Sequence, residues 1–476
     1  MNYRAVLRRF LESSLLFIHV IRWFLIAIMV GVVVGIATSY FLKALDGSIT
    51  LAGRWSWSFL LLPVAFMVSA YLVRRFAPEA EGHGTEKVIE AYHRHSGRIR
   101  LVVVPIKALA TIVTIALGGA AGKEGPSAQI GAGLASKLAD LLKFRSDDRK
   151  KIVVCGLSAG FAVVFGTPIA GAIFGVEALF VGAIVYDVLF PSFVAGIVAF
   201  GTARWLGLAY SHQFQQFAVT LDPILLVEVI FAGVFFGLLA LLLIECMRIA
   251  RKLAHWIKLS PIWTAAVGGA SLVILTLVLG RDYLGLGLVQ AGAVIRGGEA
   301  SVIAPFAKMI FTSITLNFGG SGGTLSPVFY IGATGGHLWA SLFNQDSSFF
   351  AAIGMVALLA GAANTPISAS IMAVELFGPA IVPYAALASV VSFLMTGHRS
   401  VYPSQVLSFI KSPALRVTTG KELHEIGGEV RFQAHEADEL SALLVKGSTA
   451  AIRRIRKIIR RSRLPAKVEK PPEGDT

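Results

Sequence analysis

The sequence predicts an all-α polytopic membrane protein, built from two inverted-topology repeats with broken, re-entrant helices, about 16–18 helices per subunit. Three observations predict it. Charged residues are 15% of the chain and hydrophobic residues 55%, with a mean hydropathy of +0.72; a soluble domain carries roughly 25% charge. From Met309 to His398 the only Asp, Glu, Lys or Arg residues are Asp346 and Glu375, which leaves room for several bilayer crossings. The chain also resembles itself at a nearly fixed offset, with glycine-rich interruptions at matching places. A soluble enzyme, a secreted disulfide scaffold and a disordered chain are excluded. Cys155 and Cys246 sit in apolar context and suggest neither a disulfide framework nor a metal site.

The formal net charge is +15, which first suggests an acidic partner. Its distribution argues for orientation instead. Arg4, Arg8 and Arg9 precede an apolar run over about 15–45, too long for a signal-peptide core. Arg145, Arg149, Lys150 and Lys151 form a second basic loop, and Arg248, Arg251 and Lys252 end a long apolar run. Residues 207–222 hold no Lys or Arg. The positive-inside rule puts both termini in the cytoplasm and the 207–222 connection outside, in a cell (inner) membrane. The chain divides into a cytoplasmic N-terminal amphipathic segment (1–14), a first membrane repeat (15–206), an extracytoplasmic linker (207–221), a second repeat (222–411) and a basic cytoplasmic tail (412–476). Within the tail, 449–464 carries Ile452, Ile455 and Ile459 on one helical face among arginines. It reads either as a helix on anionic lipid headgroups or as a solvated charged tail. The end, 470–476, reads as disordered.

The repeat is explicit. Gly118, Gly119, Gly122, Pro126, Ile130, Gly131 and Ala132 recur 201 residues later, as does Lys107 in Lys308. Residues 167–169, Ile173, Val176 and Glu177 recur 198 residues later. The first half starts inside and ends outside and the second does the reverse, so the repeats are inverted. Such folds hold substrate near the midplane, where helices are broken.

Glycine permits the dihedrals that break a helix, and proline suits a first helical turn. Helices are predicted to start near 124–126 and 325–327, with a third start at 82–85 before residues 86–93. Convergent helix N-termini would make an anion site from backbone N–H groups and dipoles. The other reading is close helix packing through small residues, which suits Gly131, Gly133, Gly332, Gly335 and Gly336. It suits Gly122, Gly125, Gly322 and Gly323 less well, because proline and polar residues interrupt there.

Glu124 is the sharpest single residue: 108–122 and 125–136 carry no charge. An intramembrane carboxylate is costly and marks a functional site by default. At a helix N-terminus it would compete with a permeating anion, and protonation would lift the competition, giving a pH-dependent gate. The alternatives are a salt bridge to Lys123 or a plain helix cap. Glu177 and Glu375 hold equivalent repeat positions, which favours capping or bonding to backbone. Lys107 and Lys308 receive the same structural reading.

These residues resemble the CLC family of chloride channels and chloride/proton exchangers, over about residues 15–412. Gly122-Lys-Glu-Gly-Pro126 matches the family's gating-glutamate motif, and Gly323-Thr-Leu-Ser-Pro327 resembles its Gly-x-Phe-x-Pro motif with Leu325 at the Phe. Tyr402 stands in the place of the family's pore tyrosine, or is an interfacial aromatic. The resemblance implies a homodimer with a pore in each subunit, and Glu124 as the gate. It implies that the backbone of Gly125, Thr324, Leu325 and Ser326, with the Tyr402 hydroxyl, holds chloride or another small anion. Cofactors and nucleic acid are not implied.

Two departures matter. The family's Gly-Ser-Gly-Ile-Pro motif is here Gly82-His-Gly-Thr-Glu86, so His83 replaces a serine hydroxyl that would bind the central anion. An imidazole can also donate, or His83 faces the vestibule and binds nothing. Exchangers of the family commonly carry an internal proton-accepting Glu where this chain has Ala178. On that residue the expectation is a CLC-type anion channel, with a proton-coupled antiporter as alternative. A remote alternative is an intramembrane hydrolase using Ser321 of Gly319-Gly-Ser-Gly-Gly323 with His337 as base. The equivalent of Ser321 in the first repeat is Ala120, so the glycines explain that motif without catalysis. His93 and His95 are a weak metal signal.

Overall fold

Apolar runs become helices, and the charge pattern marks their ends. The computed structural model describes residues 3–210, 216–412, 415–426 and 431–432; the tail segments 449–464 and 470–476 lie outside the described residues. The first repeat supplies α1 (Tyr3–Gly53), α2 (Leu62–Phe76), α3 (Thr85–Arg94), α4 (Val103–Ala116), α5 (Glu124–Leu141), α6 (Ser146–Phe165), α7 (Pro168–Glu177) and α8 (Tyr186–Trp205). The second supplies α9 (Pro223–Trp256), α10 (Pro261–Leu279), α11 (Leu288–Ile295), α12 (Ala304–Asn317), α13 (Leu325–Phe343), α14 (Ser347–Ala363), α15 (Pro366–Phe377) and α16 (Val382–Met395). The N-terminal segment 1–14 does not form a separate element, because α1 runs on from Tyr3. Among the described residues five stretches, within α1, near α2 and in α8, α9 and α10, are long and apolar enough to cross a bilayer. The others are shorter or, like α5, α6 and α13, less apolar.

Local chemistry sets the boundaries. Asp222 and Asp346 cap α9 and α14 by accepting the Ile224 and Phe349 N–H groups. Proline sits in the first turn of α7 and α15. Gly166, Asn344 and Asn364 take the left-handed conformation that ends α6, α13 and α14.

The packing is duplicated. α1 packs on α8 as α9 packs on α16, and α5 on α6 as α13 on α14. Each of α2, α5 and α7 also touches its own counterpart, α10, α13 and α15. A helix meets its own equivalent only near the axis relating the halves, so that axis runs through the start of α5 and α13. There Gly122 and Gly323 form an antiparallel bridge, with N–H to carbonyl distances of 2.7 and 2.6 Å in the two directions. The small-residue reading holds further along the same helices: Gly131 lies against Gly156, and Gly332 against Gly354.

Two more devices tie the halves together. Both Glu177 oxygens accept from the first turn of α15, Ile367 N–H at 3.0 Å and Ser368 N–H at 2.8 Å. Both Glu375 oxygens accept from the first turn of α7, Ile169 N–H at 3.1 Å and Ala170 N–H at 2.8 Å. After α16 the chain returns to the core. Its short strand β2 (Val406–Leu407) pairs in parallel with β1 (Phe180–Val181), and Tyr402 is 1% exposed.

Candidate anion-binding site

Three helix starts meet at the axis. α5 begins at Glu124, α13 at Leu325 and α3 at Thr85, within a residue or two of the starts the glycine breaks predict. The first N–H groups of a helix have no partner within it, and they carry the positive end of its dipole. Close approach needs glycine. A Cβ on Gly323 would lie 2.6 Å from the Gly125 nitrogen, and one on Gly125 would overlap the His83 carbonyl oxygen.

The Glu124 carboxylate is buried on the start of α13. One oxygen accepts the Ser326 N–H at 3.0 Å, and the other accepts the Ser326 hydroxyl. Thr324, the residue before α13, donates its hydroxyl to the Tyr402 hydroxyl at 3.3 Å. The Tyr402 N–H is held by the Ser400 hydroxyl at 2.9 Å. His83 is 2% exposed, its backbone against Gly125 and its Nδ1 3.3 Å from the Glu86 carboxylate. Leu325 is fully buried. The fold therefore gathers Glu124, Gly125, Thr324, Leu325, Ser326, Tyr402 and His83 in one place.

A pocket of about 20 Å³ lies against Glu124, walled by Val164, Phe165, Leu288, Phe329, Met355 and Leu376. That is room for about one water molecule. Val164 and Leu288 also line a cavity of about 460 Å³ containing Lys123 and Asp46. A separate cavity of about 280 Å³ meets Gly82 and Ser321 beside Arg74, His255 and Lys258.

Other candidate residues fall elsewhere. Ala178 ends α7, and its carbonyl accepts the Gln405 amide at 2.9 Å. Ser321 and His337 do not form a pair. Ser321 bonds the Thr111 hydroxyl at 3.1 Å, and His337 bonds Ser347 and the Ala300 N–H. The hydrolase alternative is thereby withdrawn. His93 bonds the Leu179 carbonyl at 3.0 Å. Lys107 donates to the carbonyls of Ala80 and Gly82, and Lys308 to those of Tyr283, Leu284 and Gly285, so each fixes the loop before a short helix.

Sequence reasoning missed Thr114 and Thr315. The Thr114 hydroxyl accepts the Ser321 N–H and the Thr315 hydroxyl the Ala120 N–H, each at 3.0 Å. They stand 201 residues apart, so the repeat offset was the available signal. It also missed Glu86, whose partner is His83.

Two related helical halves whose short helices start face to face around a buried carboxylate are the architecture of a membrane transporter. The chain belongs to the CLC family: the description "Voltage gated chloride channel" matches residues 64–397. It is 35% identical to the "Chloride/fluoride channel protein" of Pseudomonas syringae pv. tomato, over 81% of this chain and 87% of that one. It is 25% identical to the "H(+)/Cl(-) exchange transporter ClcA" of Vibrio cholerae, over 74% of this chain and 81% of that one. A solved structure titled "Crystal structure of a CLC-type fluoride/proton antiporter" superposes with a TM-score of 0.77 at 26% identity, covering 81% of this chain and 98% of that one.

Proposed function

We propose that this protein exchanges a small halide, fluoride or chloride, for protons across the cell membrane, with Glu124 as the coupling gate. The observation that carries the reading is the Glu124 carboxylate seated on the Ser326 N–H and hydroxyl. A carboxylate there fills the place where a permeating anion would take the same donors. Protonation removes its charge and its claim on them, so proton and anion occupy the site by turns. The relatives named as exchangers and the fluoride/proton antiporter structure support this above the channel expectation. Ala178 still speaks for a channel, as does the word in the name of the Pseudomonas syringae relative.

The anion is held by Gly125, Leu325 and Ser326 backbone, with Thr324, Tyr402 and His83 completing the wall. Each subunit of a homodimer has its own route, and both termini are cytoplasmic. Purified protein in liposomes tests the exchange. An outward anion gradient should drive protons inward against their own gradient. Anion efflux with no proton movement would leave the channel reading standing instead.

A further inference from the structure

A proton bound for Glu124 needs a side chain able to hold it at the edge of the site. Most buried carboxylates are committed. Glu177 and Glu375 each give both oxygens to backbone N–H groups of the other repeat. Glu422 lies 2.5 Å from the Arg94 guanidinium. Around Ala178 stand the Gln405 and Asn364 amides, which do not titrate, the Lys411 side chain bonded to Asn364 at 2.7 Å, and His93, whose ring is held on the Leu179 carbonyl at 3.0 Å.

Glu86 is placed differently. It lies in the first turn of α3, its side chain 14% exposed, so it reaches both water and the interior. Its partner is an imidazole: His83 Nδ1, 3.3 Å away on a side chain only 2% exposed. Two further cations lie within electrostatic range, Arg251 and Lys87. Lys87 is held 2.8 Å from Glu90, and Arg251 also donates to Asn317 at 3.4 Å. The pair adjoins the gate. The His83 backbone lies against Gly125, the residue after Glu124, and the Gly84 Cα faces the Gly125 carbonyl. The Tyr402 hydroxyl, which accepts from Thr324 at the start of α13, is within electrostatic range of both Glu86 and Glu124. A helix-capping role would account for the first turn of α3, but not for a buried imidazole turned to the carboxylate.

We propose that Glu86 and His83 form a proton relay to Glu124, opening on the face that is cytoplasmic in the orientation above. This rests on the antiport reading. The Glu86 carboxyl O–H breaks as His83 Nδ1 takes its proton. The imidazolium gives up its Nε2 proton, and the Glu124 carboxylate, once off Ser326, forms the new O–H bond. His83 is left neutral in its other tautomer, and Glu86 is reloaded from water.

Full-length protein in liposomes, with anion efflux and proton uptake recorded together in chloride and then in fluoride, tests the relay. Glu86→Gln and His83→Gln should each lower the ratio of protons to anions moved by about tenfold or more, since a positioned proton carrier is worth about 10²–10⁴ in rate. Glu86→Asp should keep the wild-type ratio. Either Gln variant decides alone if the other fails to fold. An unchanged ratio overturns the relay and spares the antiport reading, as does an equal loss of both fluxes, which would mark a structural role. Wild-type protein that moves anions without protons overturns the antiport reading and the relay with it.

Discussion

Glu177→Ala strips the first turn of α15 of both its acceptors. The carboxylate receives N–H groups of Ile367 and Ser368 at 3.0 and 2.8 Å, and Glu177 is 5% exposed. Hydrogen bonds to a charged group contribute about 1.5–3 kcal/mol each, so the two together stabilise the α7–α15 contact by about 3–6 kcal/mol. An alanine restores neither bond, and water reaches a buried helix start poorly. Glu375 makes the matching pair of bonds at 3.1 and 2.8 Å, but it is half-buried. Solvent screens it, and Glu375→Ala should cost only about 1–3 kcal/mol. With an unfolding entropy of about 2.1 cal/mol/K per residue, a chain of 476 residues loses about 1 °C per kcal/mol. Thermal unfolding in detergent, followed by tryptophan fluorescence, should therefore drop by about 3–6 °C for Glu177→Ala and by about 1–3 °C for Glu375→Ala. Glu177→Gln, which keeps one neutral acceptor, should fall between wild type and Glu177→Ala. A drop under about 1 °C for Glu177→Ala, or a larger drop for Glu375→Ala, would refute the reasoning.

Three further outcomes are expected. Glu124→Gln removes the charged competitor from the Ser326 donors, worth about 1.5–3 kcal/mol, so anion affinity should rise about tenfold or more by titration calorimetry. Its anion flux should lose dependence on external pH, and intact pH dependence would remove Glu124 as gate. Thr114→Val and Thr315→Val each orphan a buried N–H bonded at 3.0 Å and should each cost about 1–3 kcal/mol, read as similar falls in unfolding temperature; unequal falls would argue against their equivalence. Burial, with Lys411 and Arg399 nearby, holds His398 below the usual histidine range, and its neutral Nε2 accepts the Lys411 N–H at 3.2 Å. The opened segment binds a proton more readily than the folded one. The attachment is then full above about pH 6.5 and weakens as pH falls through that value. Hydrogen exchange across 398–411 should show it, and protection that grows on acidification would contradict the assignment.

How much was legible in the sequence depended on whether the signal was local. The starts of α5 and α13 were readable because a glycine break followed by proline fixes a helix start within a few residues. The structural reading of Glu177 and Glu375 followed from symmetry, and the fold supplies their partners. Ser321 misled in the other direction: a glycine pattern resembled a nucleophile motif, yet its hydroxyl meets Thr111. Tyr402 reaches the core through a parallel pair of two-residue strands, Phe180–Val181 and Val406–Leu407. So short a strand has no periodicity to read, and its partner lies 226 residues away. The Glu86–His83 pair was hidden because each residue looked like a departure from a motif when taken alone.

Duplication makes two equivalent helix starts, and function comes from the places where the copies differ. At the offset of 201, Lys123-Glu124-Gly125 corresponds to Thr324-Leu325-Ser326. One copy therefore contributes a carboxylate and the other the N–H and hydroxyl that bind it, which two identical copies could not do. The same break appears one layer out. Lys107 fixes the loop at Gly82, before His83 and Glu86, while Lys308 fixes the loop at Gly285, between Leu284 and Leu286. On one side stand His83 and Glu86; on the other, the space against Glu124 is walled by apolar Leu288 and Phe329 with room for about one water, and Lys123 and Asp46 line the larger cavity beyond. On the exchange proposed above, a gate that takes protons from one side and sheds anions to the other needs that inequality. It follows that grafting polar residues at Leu284 and Leu286 should open a second proton route and lower the anion moved per proton. If the same graft leaves that ratio unchanged in the liposome assay, the apolar wall is not what keeps the two sides apart.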